Sequence, residues 1–200
     1  MPLLENNSFV LLVIILSYLM GSITFGILIS KVLKLGDLRS IGSGNIGATN
    51  VLRTGNKKAA MITLIMDMGK GALVVTLMLN YTNTFLTSLT AIAVFLGHLF
   101  PIWQKFKGGK GVATYIGIIL VFSFLAGLVT CFIWLLVAIV YKKSSLSALI
   151  ATILTPLWLW FFDKPHFILP SIIMTLLIFI KHIDNIRRLF KGIEPNIKIT

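Results

Sequence analysis

Negative charge is scarce in this sequence of 200 residues, where six Asp and Glu stand against 18 Lys and Arg. The acidic residues are too widely spaced along the sequence for two of them to hold Mg²⁺ together. The single cysteine, Cys131, lies in an apolar run, which leaves no disulfide or cysteine metal site within the sequence. We therefore expect a protein that works without a metal ion or another cofactor.

Charged residues make up only 12% of the chain and hydrophobic residues 57%, which is unlike the composition of a soluble domain. A helix needs about 20 apolar residues to cross a bilayer. The first apolar run is too long for a cleaved signal peptide, and Glu5 is the only charge before it, so we interpret residues 9–29 as a retained first helix. We expect an all-α integral membrane protein with a single membrane-embedded domain over residues 1–200, and with apolar runs at residues 9–29, 59–79, 85–103, 112–141, 146–162 and 167–180.

The positions of the basic residues indicate membrane topology rather than nucleic-acid binding, which needs a soluble basic face. All Lys and Arg except Lys70 and Lys164 fall in four clusters. Since cytoplasmic loops collect Lys and Arg, we place all four clusters on the cytoplasmic face. The clusters are Lys31, Lys34, Arg39, Arg53, Lys57 and Lys58; Lys105, Lys107 and Lys110; Lys142 and Lys143; and Lys181, Arg187, Arg188, Lys191 and Lys198.

With all four clusters on one face, the apolar runs that connect them must cross the membrane and return. This predicts seven transmembrane helices, with the N-terminus outside and the C-terminus in the cytoplasm. Residues 112–141 have to cross twice, because a single helix would be about 45 Å long against a hydrocarbon core of about 30 Å. We therefore predict short helices that turn near residues 123–127, and expect some spans to be short or broken. After the last span, Ile186, Leu189 and Phe190 alternate with basic residues, which predicts a short C-terminal interfacial helix.

Two glycine-rich segments in the basic clusters have the features of an anion-binding site. The first loop, residues 42–53, reads GSGNIGATNVLR, and the second loop, residues 100–114, reads FPIWQKFKGGKGVAT. Glycines permit backbone conformations in which successive N–H groups converge on an anion, and each loop leads into a helix N-terminus. The glycines are Gly42, Gly44, Gly47, Gly108, Gly109 and Gly111; the neutral donors are Ser43, Asn45, Thr49 and Asn50; and the cations are Arg53, Lys107 and Lys110.

Other interpretations of these glycines have less support. A dinucleotide-binding fingerprint needs a preceding strand, whereas a membrane helix precedes the first loop. The second loop does not match a nucleotide phosphate-binding loop around Lys110. Glycine-rich turns without a ligand are an alternative for either loop alone, but two basic loops on one face favour an anion site. A transporter or lipid carrier would need a polar path through the membrane, and apart from Asp67 and Lys70 the spans offer none.

Three long motifs, in order along the chain, resemble those of the bacterial membrane acyl-phosphate:glycerol 3-phosphate acyltransferases. The resemblance spans nearly the whole chain. Ile46 stands where the family usually has proline, which leaves the first loop less restricted in φ. The matching residues are 43–53 in the first motif; Gly97, His98, Phe100, Pro101 and 106–114 in the second; 182–189, Gly192 and Glu194 in the third; and Gly21, Ser22, Asp67, Lys70, Gly71 and 145–147 outside them.

The resemblance implies transfer of a fatty acyl group from acyl phosphate to the 1-hydroxyl of glycerol 3-phosphate, without acyl-CoA or acyl carrier protein. The products are 1-acylglycerol 3-phosphate (lysophosphatidic acid) and phosphate, and the reaction is the first acylation step of bacterial phospholipid synthesis. The resemblance also implies seven transmembrane helices in the bacterial plasma (inner) membrane, with the three motifs and the active site at the cytoplasmic face. We expect a monomer surrounded by membrane lipid.

The residue roles follow from the charge that develops during acyl transfer, since donors placed around the carbonyl and the leaving phosphate stabilise it. We assign the first-loop donors mainly to the acyl phosphate, and the cations of both loops to glycerol 3-phosphate. The predicted catalytic residues are Ser43, Arg53, His98, Lys110 and Asn185, and the predicted phosphate-binding residues are Gly42, Gly44, Asn45, Gly47, Thr49, Asn50, Lys107, Gly108, Gly109, Gly111, Ser145, His182 and Arg188.

The acceptor of the hydroxyl proton stays open between two alternatives. His98 and His182 are candidates for a general base, but each lies among cations that oppose its protonation. A phosphate oxygen of a substrate can accept the proton instead, and we prefer this alternative. The two histidines would then position other groups.

Four further charged residues have expected structural roles. Asp67 and Lys70, at i and i+3, are expected to form an ion pair inside the membrane; alternatively, Asp67 orients a basic loop residue. Glu194 is expected to pin the surface helix by pairing with Arg or Lys. Arg39 lies outside the motif, and we expect its charge to contribute to topology alone.

Overall fold

The computed structural model of the chain describes residues 7–197, and every regular element in this range is a helix. Two charged residues considered above, Glu5 and Lys198, lie outside the described residues. Short 3₁₀ turns occupy Leu38–Ser40, Ile102–Gln104 and Pro165–Phe167. The α-helices are α1 (Asn7–Gly21), α2 (Phe25–Val32), α3 (Ala48–Leu52), α4 (Lys57–Tyr81), α5 (Thr84–Leu99), α6 (Val112–Phe122), α7 (Phe124–Tyr141), α8 (Ser144–Phe161), α9 (Ile168–Lys181) and α10 (Ile183–Phe190).

Within residues 7–197, 4 helices are long and apolar enough to cross a membrane, namely α4, α5 together with its 3₁₀ turn (Thr84–Gln104), α7 and α8. The number rises to 6 if each bent pair is one broken span: α1 with α2, bent by 40°, and Pro165–Lys181 with α10, bent by 61°. The apolar α6 has only 11 residues. These helices fit the expected multi-pass membrane protein, while the seven-span topology and the orientation of the termini stay predictions.

The long apolar run at residues 112–141 forms two helices, as its length led us to expect. α6 ends at Phe122 and α7 begins at Phe124, so the chain turns at Ser123, whose backbone is extended (φ −156°, ψ 112°). The Ser123 hydroxyl oxygen accepts a hydrogen bond from the Ala126 N–H at 3.3 Å and thereby caps α7. The predicted break in this run is therefore confirmed.

The first apolar run is not the single helix expected over residues 9–29. α1 ends at Gly21 and α2 begins at Phe25. Backbone groups freed by a break inside a membrane need protein partners, since lipid supplies none. The Lys70 ammonium donates to the carbonyl oxygens of Gly21 at 3.0 Å and Ile23 at 2.7 Å. The expectation of one continuous helix is wrong because a buried cation stabilises a break that hydropathy does not show.

Small residues bring the helices close together near the loops. A Cβ added to Gly97 of α5 would lie 2.1 Å from the carbonyl oxygen of Tyr18 in α1. Similarly, a Cβ added to Gly117 of α6 would lie 2.1 Å from the carbonyl oxygen of Met68 in α4. Such contacts between small residues and a neighbouring backbone are typical of membrane helices. They fix the spacing of the helices from which the loops emerge.

The short helix predicted after the last span is present as α10. Asn185 is buried, whereas Phe190 is 89% exposed and Ile193, just beyond the helix, is 65% exposed. Exposed apolar side chains beside Arg187 and Lys191 suit a helix that lies at a membrane surface. Its location at that surface stays a prediction.

The predicted topology can be tested at the two ends of α4, whose 25 residues span about 37 Å. In a Cys131→Ala background, we expect Asn83→Cys to react with a membrane-impermeant maleimide on intact cells. Thr54→Cys, at the opposite end of α4, should react only after the membrane is permeabilised. Cys131→Ala alone gives the background signal, and labelling of both positions from the same side would contradict the seven-span topology.

Candidate functional site

A cavity of about 600 Å³, called the site cavity below, lies where the loops meet. Its polar lining comes mainly from the first loop, the second loop and the third motif, and it includes Lys57 and Asp67 of α4, His98 of α5, and Ser144 and Ser145 of α8. The cavity also follows α4 from Lys57 to Met68, a distance of about 17 Å along the helix. Apolar side chains of α4, α6 and α7 line this part, and they are Met61, Leu64, Met68, Ile116, Cys131 and Trp134.

The structure brings most of the predicted site residues to this cavity. Those that line it are Ser43, Asn45, Gly47, Thr49, Asn50, Arg53, His98, Lys110, Gly111, Ser145, His182 and Asn185. The predicted residues outside the lining are Gly42, Gly44, Lys107, Gly108, Gly109 and Arg188.

Asn50 organises the first loop from its buried centre, where it is only 1% exposed. Its Nδ2 donates to the carbonyl oxygens of Leu38 and Asn45, both at 2.7 Å. Its Oδ1 accepts from the Ser43 N–H at 3.2 Å and from the Arg53 guanidinium at 3.1 Å. Because Nδ2 and Oδ1 of the side-chain amide both form hydrogen bonds within this part of the chain, Asn50 holds the loop and orients Arg53 at the cavity.

The backbone of the first loop also depends on two close approaches. Gly42 has φ +55°, and a Cβ there would lie 2.5 Å from Cδ of Arg53, so glycine lets the loop close on this arginine. Ile46 is 2% exposed, and its carbonyl oxygen would lie 1.8 Å from a Cβ added to Gly26 of α2. Packing on α2 therefore holds the loop at the position where the family usually has proline.

The second loop is attached to the end of α5. The Gly108 N–H donates to the Leu99 carbonyl oxygen, and the Gly109 N–H donates to the His98 carbonyl oxygen, each at 3.1 Å. These two bonds satisfy carbonyls that the end of a helix leaves free. They also set the position of the next residue, Lys110, in the cavity lining.

Lys107 occupies a different position from Lys110, because it is exposed and lies outside the cavity lining. Its carbonyl oxygen accepts a hydrogen bond from the Arg39 guanidinium at 2.7 Å. Arg39 therefore links the segment before the first loop to the second loop. Arg39 thus does more than contribute to topology, and this bond could not be predicted because the two residues are distant in the sequence and only a backbone atom of Lys107 takes part.

The ammonium group of Lys110 donates to the side-chain oxygen of Asn185. Burial lowers the pKa of Lys110 to about 8; the negative charge of Glu194 opposes this shift, and the positive charges of Arg188 and Arg53 add to it. Burial also lowers the pKa of Arg53, although Arg53 stays protonated at any physiological pH. An anion entering the cavity would meet two cations that have already lost part of their hydration.

The carboxylate of Glu194 connects α8 to α10. One oxygen accepts from the Ser145 hydroxyl at 2.7 Å and from the Asn185 amide at 2.6 Å, and the other accepts from Arg188 Nε at 2.7 Å. Glu194 is 5% exposed. Burial alone would raise its pKa, but the three hydrogen bonds and the charge of Arg188 outweigh burial, so the pKa lies below its usual value. The expected pairing of Glu194 with a basic residue of the surface helix is present.

The segment that follows α10 folds back on the α7–α8 connection. The Lys143 ammonium donates to the carbonyl oxygen of Glu194, and the Ile197 N–H donates to the Lys142 carbonyl oxygen at 2.8 Å. These contacts could not be predicted from the sequence, because backbone groups take part in them and leave no residue pattern. In this segment, a structural role was predicted for Glu194.

The other acidic side chain in the cavity lining is Asp67. The expected pair with Lys70 is present, with 3.0 Å between Asp67 Oδ1 and Lys70 Nζ. Over the described part of the chain, no three His, Cys, Asp or Glu side chains are grouped so that they could hold a metal ion.

Comparison with known proteins adds family and structural relationships to this geometry. The family model for glycerol-3-phosphate acyltransferase matches residues 11–192. A glycerol-3-phosphate acyltransferase of Nitrobacter winogradskyi is 52% identical over 180 residues, covering 90% of this chain and 92% of that protein. One of Jannaschia sp. is 48% identical over 197 residues, covering 98% and 97% of the two chains.

The chain is also similar to two crystal structures of PlsY (YgiH), an integral membrane glycerol 3-phosphate acyltransferase. The glycerol 3-phosphate form has a TM-score of 0.89 and 37% identity, and covers 94% of each chain. The lysophosphatidic acid form has a TM-score of 0.87 and 36% identity, with the same coverage of 94%.

The bonds of Glu194 predict a stability defect in Glu194→Gln, which keeps the size of the side chain and removes its charge. We expect the free energy of unfolding to fall by about 1.5–3 kcal/mol, the usual contribution of a hydrogen bond to a charged group. The measurement is denaturant unfolding of the purified protein in detergent. Asp184→Asn is the matched control, because it removes an exposed carboxylate that lies 3.3 Å from Arg187; equal losses in the two variants would contradict this role of Glu194.

Proposed function

Because this chain belongs to the glycerol-3-phosphate acyltransferase family, we propose that it transfers a fatty acyl group from acyl phosphate to the 1-hydroxyl of glycerol 3-phosphate. The products are lysophosphatidic acid and inorganic phosphate. We propose further that a monomer carries out this reaction at the cytoplasmic face of the bacterial plasma membrane, as the first acylation of phospholipid synthesis.

The observation that carries the proposal is the mixed lining of one cavity. Arg53 and Lys110 contribute positive charge to it, whereas α4, α6 and α7 contribute apolar side chains along about 17 Å of α4. Glycerol 3-phosphate needs only the polar part. A donor with a phosphate and an alkyl tail needs both parts, which supports acyl phosphate as the second substrate.

Acyl transfer at this site forms one bond and breaks one. The 1-hydroxyl oxygen attacks the carbonyl carbon of the acyl phosphate, the new ester C–O bond forms, and the C–O bond to the phosphate breaks. Negative charge develops on the carbonyl oxygen and on the leaving phosphate, and donors that are already oriented stabilise it. Both substrates held in one cavity also supply the proximity that a reaction between two molecules requires.

We divide the two phosphates between the neutral donors of the first loop and the cations of both loops. Ser43, the N–H groups of the first loop and Thr49 face the acyl phosphate, with Asn50 holding the loop in shape. Arg53 and Lys110 hold glycerol 3-phosphate. Ser145, Asn185 and Arg188 are tied to Glu194 and keep the cationic side of the cavity in place.

The hydroxyl proton passes to a phosphate oxygen in this proposal. His182 Nδ1 lies 2.8 Å from the carbonyl oxygen of Ile178 and donates to it, because a carbonyl can only accept. Burial and the positive charge of Lys110 lower the pKa of His182, which follows the last span, to about 4. A side chain with that pKa is a weak base near neutral pH, so the leaving phosphate is the better acceptor.

The proposed donor is tested with purified protein, palmitoyl phosphate and glycerol 3-phosphate, with the product identified by mass spectrometry. A parallel reaction supplies palmitoyl-CoA in place of palmitoyl phosphate. We expect lysophosphatidic acid from palmitoyl phosphate only. Product from palmitoyl-CoA alone would overturn the acyl-phosphate proposal and leave the family assignment unchanged.

If Arg53 and Lys110 hold a substrate phosphate, Arg53→Ala and Lys110→Ala each remove a charge that no neutral neighbour can replace. A charge-assisted hydrogen bond contributes about 1.5–3 kcal/mol, so kcat/KM should fall about 10- to 200-fold. Lys58→Ala is the control, because Lys58 belongs to the same basic cluster but is exposed and does not line the cavity. Equal activity of Arg53→Ala and Lys58→Ala would rule out the phosphate-binding role of Arg53.

The lowered pKa of Lys110 predicts a pH dependence. Phosphate binding needs the protonated ammonium, so kcat/KM for glycerol 3-phosphate should decline as the pH rises above about 8. In Lys110→Arg, the normalised profile should stay level to higher pH, because a guanidinium does not deprotonate in this range. Initial rates from pH 6.5 to about 9.5 measure both profiles; the same alkaline decline in both would show that another group titrates.

A further inference from the structure

Three titratable side chains inside the membrane-spanning part are not used by the reaction described above. Asp67 and Lys70 of α4 are each 3% exposed, and His98 near the end of α5 is 4% exposed. Asp67 Oδ1 lies 3.0 Å from Lys70 Nζ and 3.7 Å from His98 Nδ1. Ionisable groups within a membrane are costly and are retained where they have a function. Both Asp67 and His98 line the site cavity.

Lys70 connects these three buried side chains to the first loop. Its ammonium donates to the carbonyl oxygens of Gly21 and Ile23, which are the backbone groups freed by the break between α1 and α2. The direction of α2 therefore depends on Lys70. In turn α2 supports the first loop, because Gly26 packs directly against the backbone of Ile46.

His98 connects the same three side chains to the second loop. Its carbonyl oxygen accepts the Gly109 N–H at 3.1 Å. Its imidazole ring lies over the same glycine, since a Cβ added to Gly109 would lie only 2.3 Å from His98 Nε2. One nitrogen of the ring thus faces Asp67 and the other faces the residue before Lys110.

We propose that Asp67, Lys70 and His98 are positioning residues that set both phosphate-binding loops from inside the membrane. The Asp67 carboxylate pairs with Lys70 and lies against the His98 ring without a hydrogen bond to it. Lys70 sets α2 and the first loop, and His98 sets Gly109 and hence Lys110. The inference rests on the proposed function in that Lys110 is taken to bind glycerol 3-phosphate. It does not depend on the identity of the acyl donor.

The contact between His98 and Gly109 allows a rescue experiment. Gly109→Ala places a methyl group against the His98 ring, and we expect the affinity for glycerol 3-phosphate to fall about tenfold or more, since the second loop must move. His98→Asn keeps a nitrogen toward Asp67 but removes the part of the ring next to Gly109. The double variant His98→Asn/Gly109→Ala should therefore bind glycerol 3-phosphate more tightly than Gly109→Ala alone.

The measurement is calorimetric titration of glycerol 3-phosphate into the intact protein in detergent, together with the kinetic constants for both substrates. Gly69→Ala is the control, because Gly69 lies on α4 between Asp67 and Lys70 and a Cβ there meets nothing within 4 Å; its affinity should match that of the wild type. In Gly109→Ala, the KM for glycerol 3-phosphate should rise while the KM for palmitoyl phosphate changes little.

The outcomes separate the positioning role from the proposed function. Rescue in the double variant supports the positioning of Gly109 by His98, whatever donor the enzyme uses. The inference is overturned if Gly109→Ala binds glycerol 3-phosphate with wild-type affinity. It is also overturned if the affinity of the double variant falls by the product of the factors measured for the two single variants. A wild-type protein that binds glycerol 3-phosphate but does not use palmitoyl phosphate would refute the proposed donor alone.

Discussion

Glu194 accepts hydrogen bonds from Ser145, Asn185 and Arg188 with a carboxylate that is almost wholly buried, and the cationic side of the site is arranged around it. Without this anion, the positive charges of Arg188 and Lys110 would repel each other. The carboxylate keeps them close while leaving an excess of positive charge, since none of the ion pairs within residues 7–197 includes Arg53 or Lys110. The substrate phosphates can then supply the remaining negative charge.

The bilayer explains why the site lies where it does. Phosphate groups and the cations that bind them need water or hydrogen bonds, and the hydrocarbon core offers neither. In the proposed reaction, the loops at one end of the bundle hold both phosphates, and the apolar part of the site cavity along α4 receives the alkyl tail of the donor. The break between α1 and α2 obeys the same constraint, because Lys70 satisfies the carbonyls that the break sets free.

Much of this arrangement could be predicted from the sequence, and the exceptions have physical reasons. The two helices over residues 112–141 followed from the length of the run and from the placement of Lys142 and Lys143 on the cytoplasmic face. The two loops followed from glycine and cation content. The break after Gly21 could not be predicted, because a distant lysine stabilises it. The structural role of Asn50 could not be predicted, because it depends on hydrogen bonds to the carbonyl oxygens of Leu38 and Asn45 rather than on residue type. Its role in substrate binding stays a prediction.

The central claim is that one cavity holds both phosphates at once, and simultaneous binding tests it most directly. Bound glycerol 3-phosphate can be measured by equilibrium dialysis with and without a saturating 2-oxoalkyl phosphonate, an analogue of acyl phosphate in which a methylene group replaces the oxygen between the carbonyl carbon and phosphorus and prevents transfer. Our account predicts that glycerol 3-phosphate still binds when the phosphonate is saturating. Competitive displacement of glycerol 3-phosphate by the phosphonate would show a single shared phosphate site and would contradict the account.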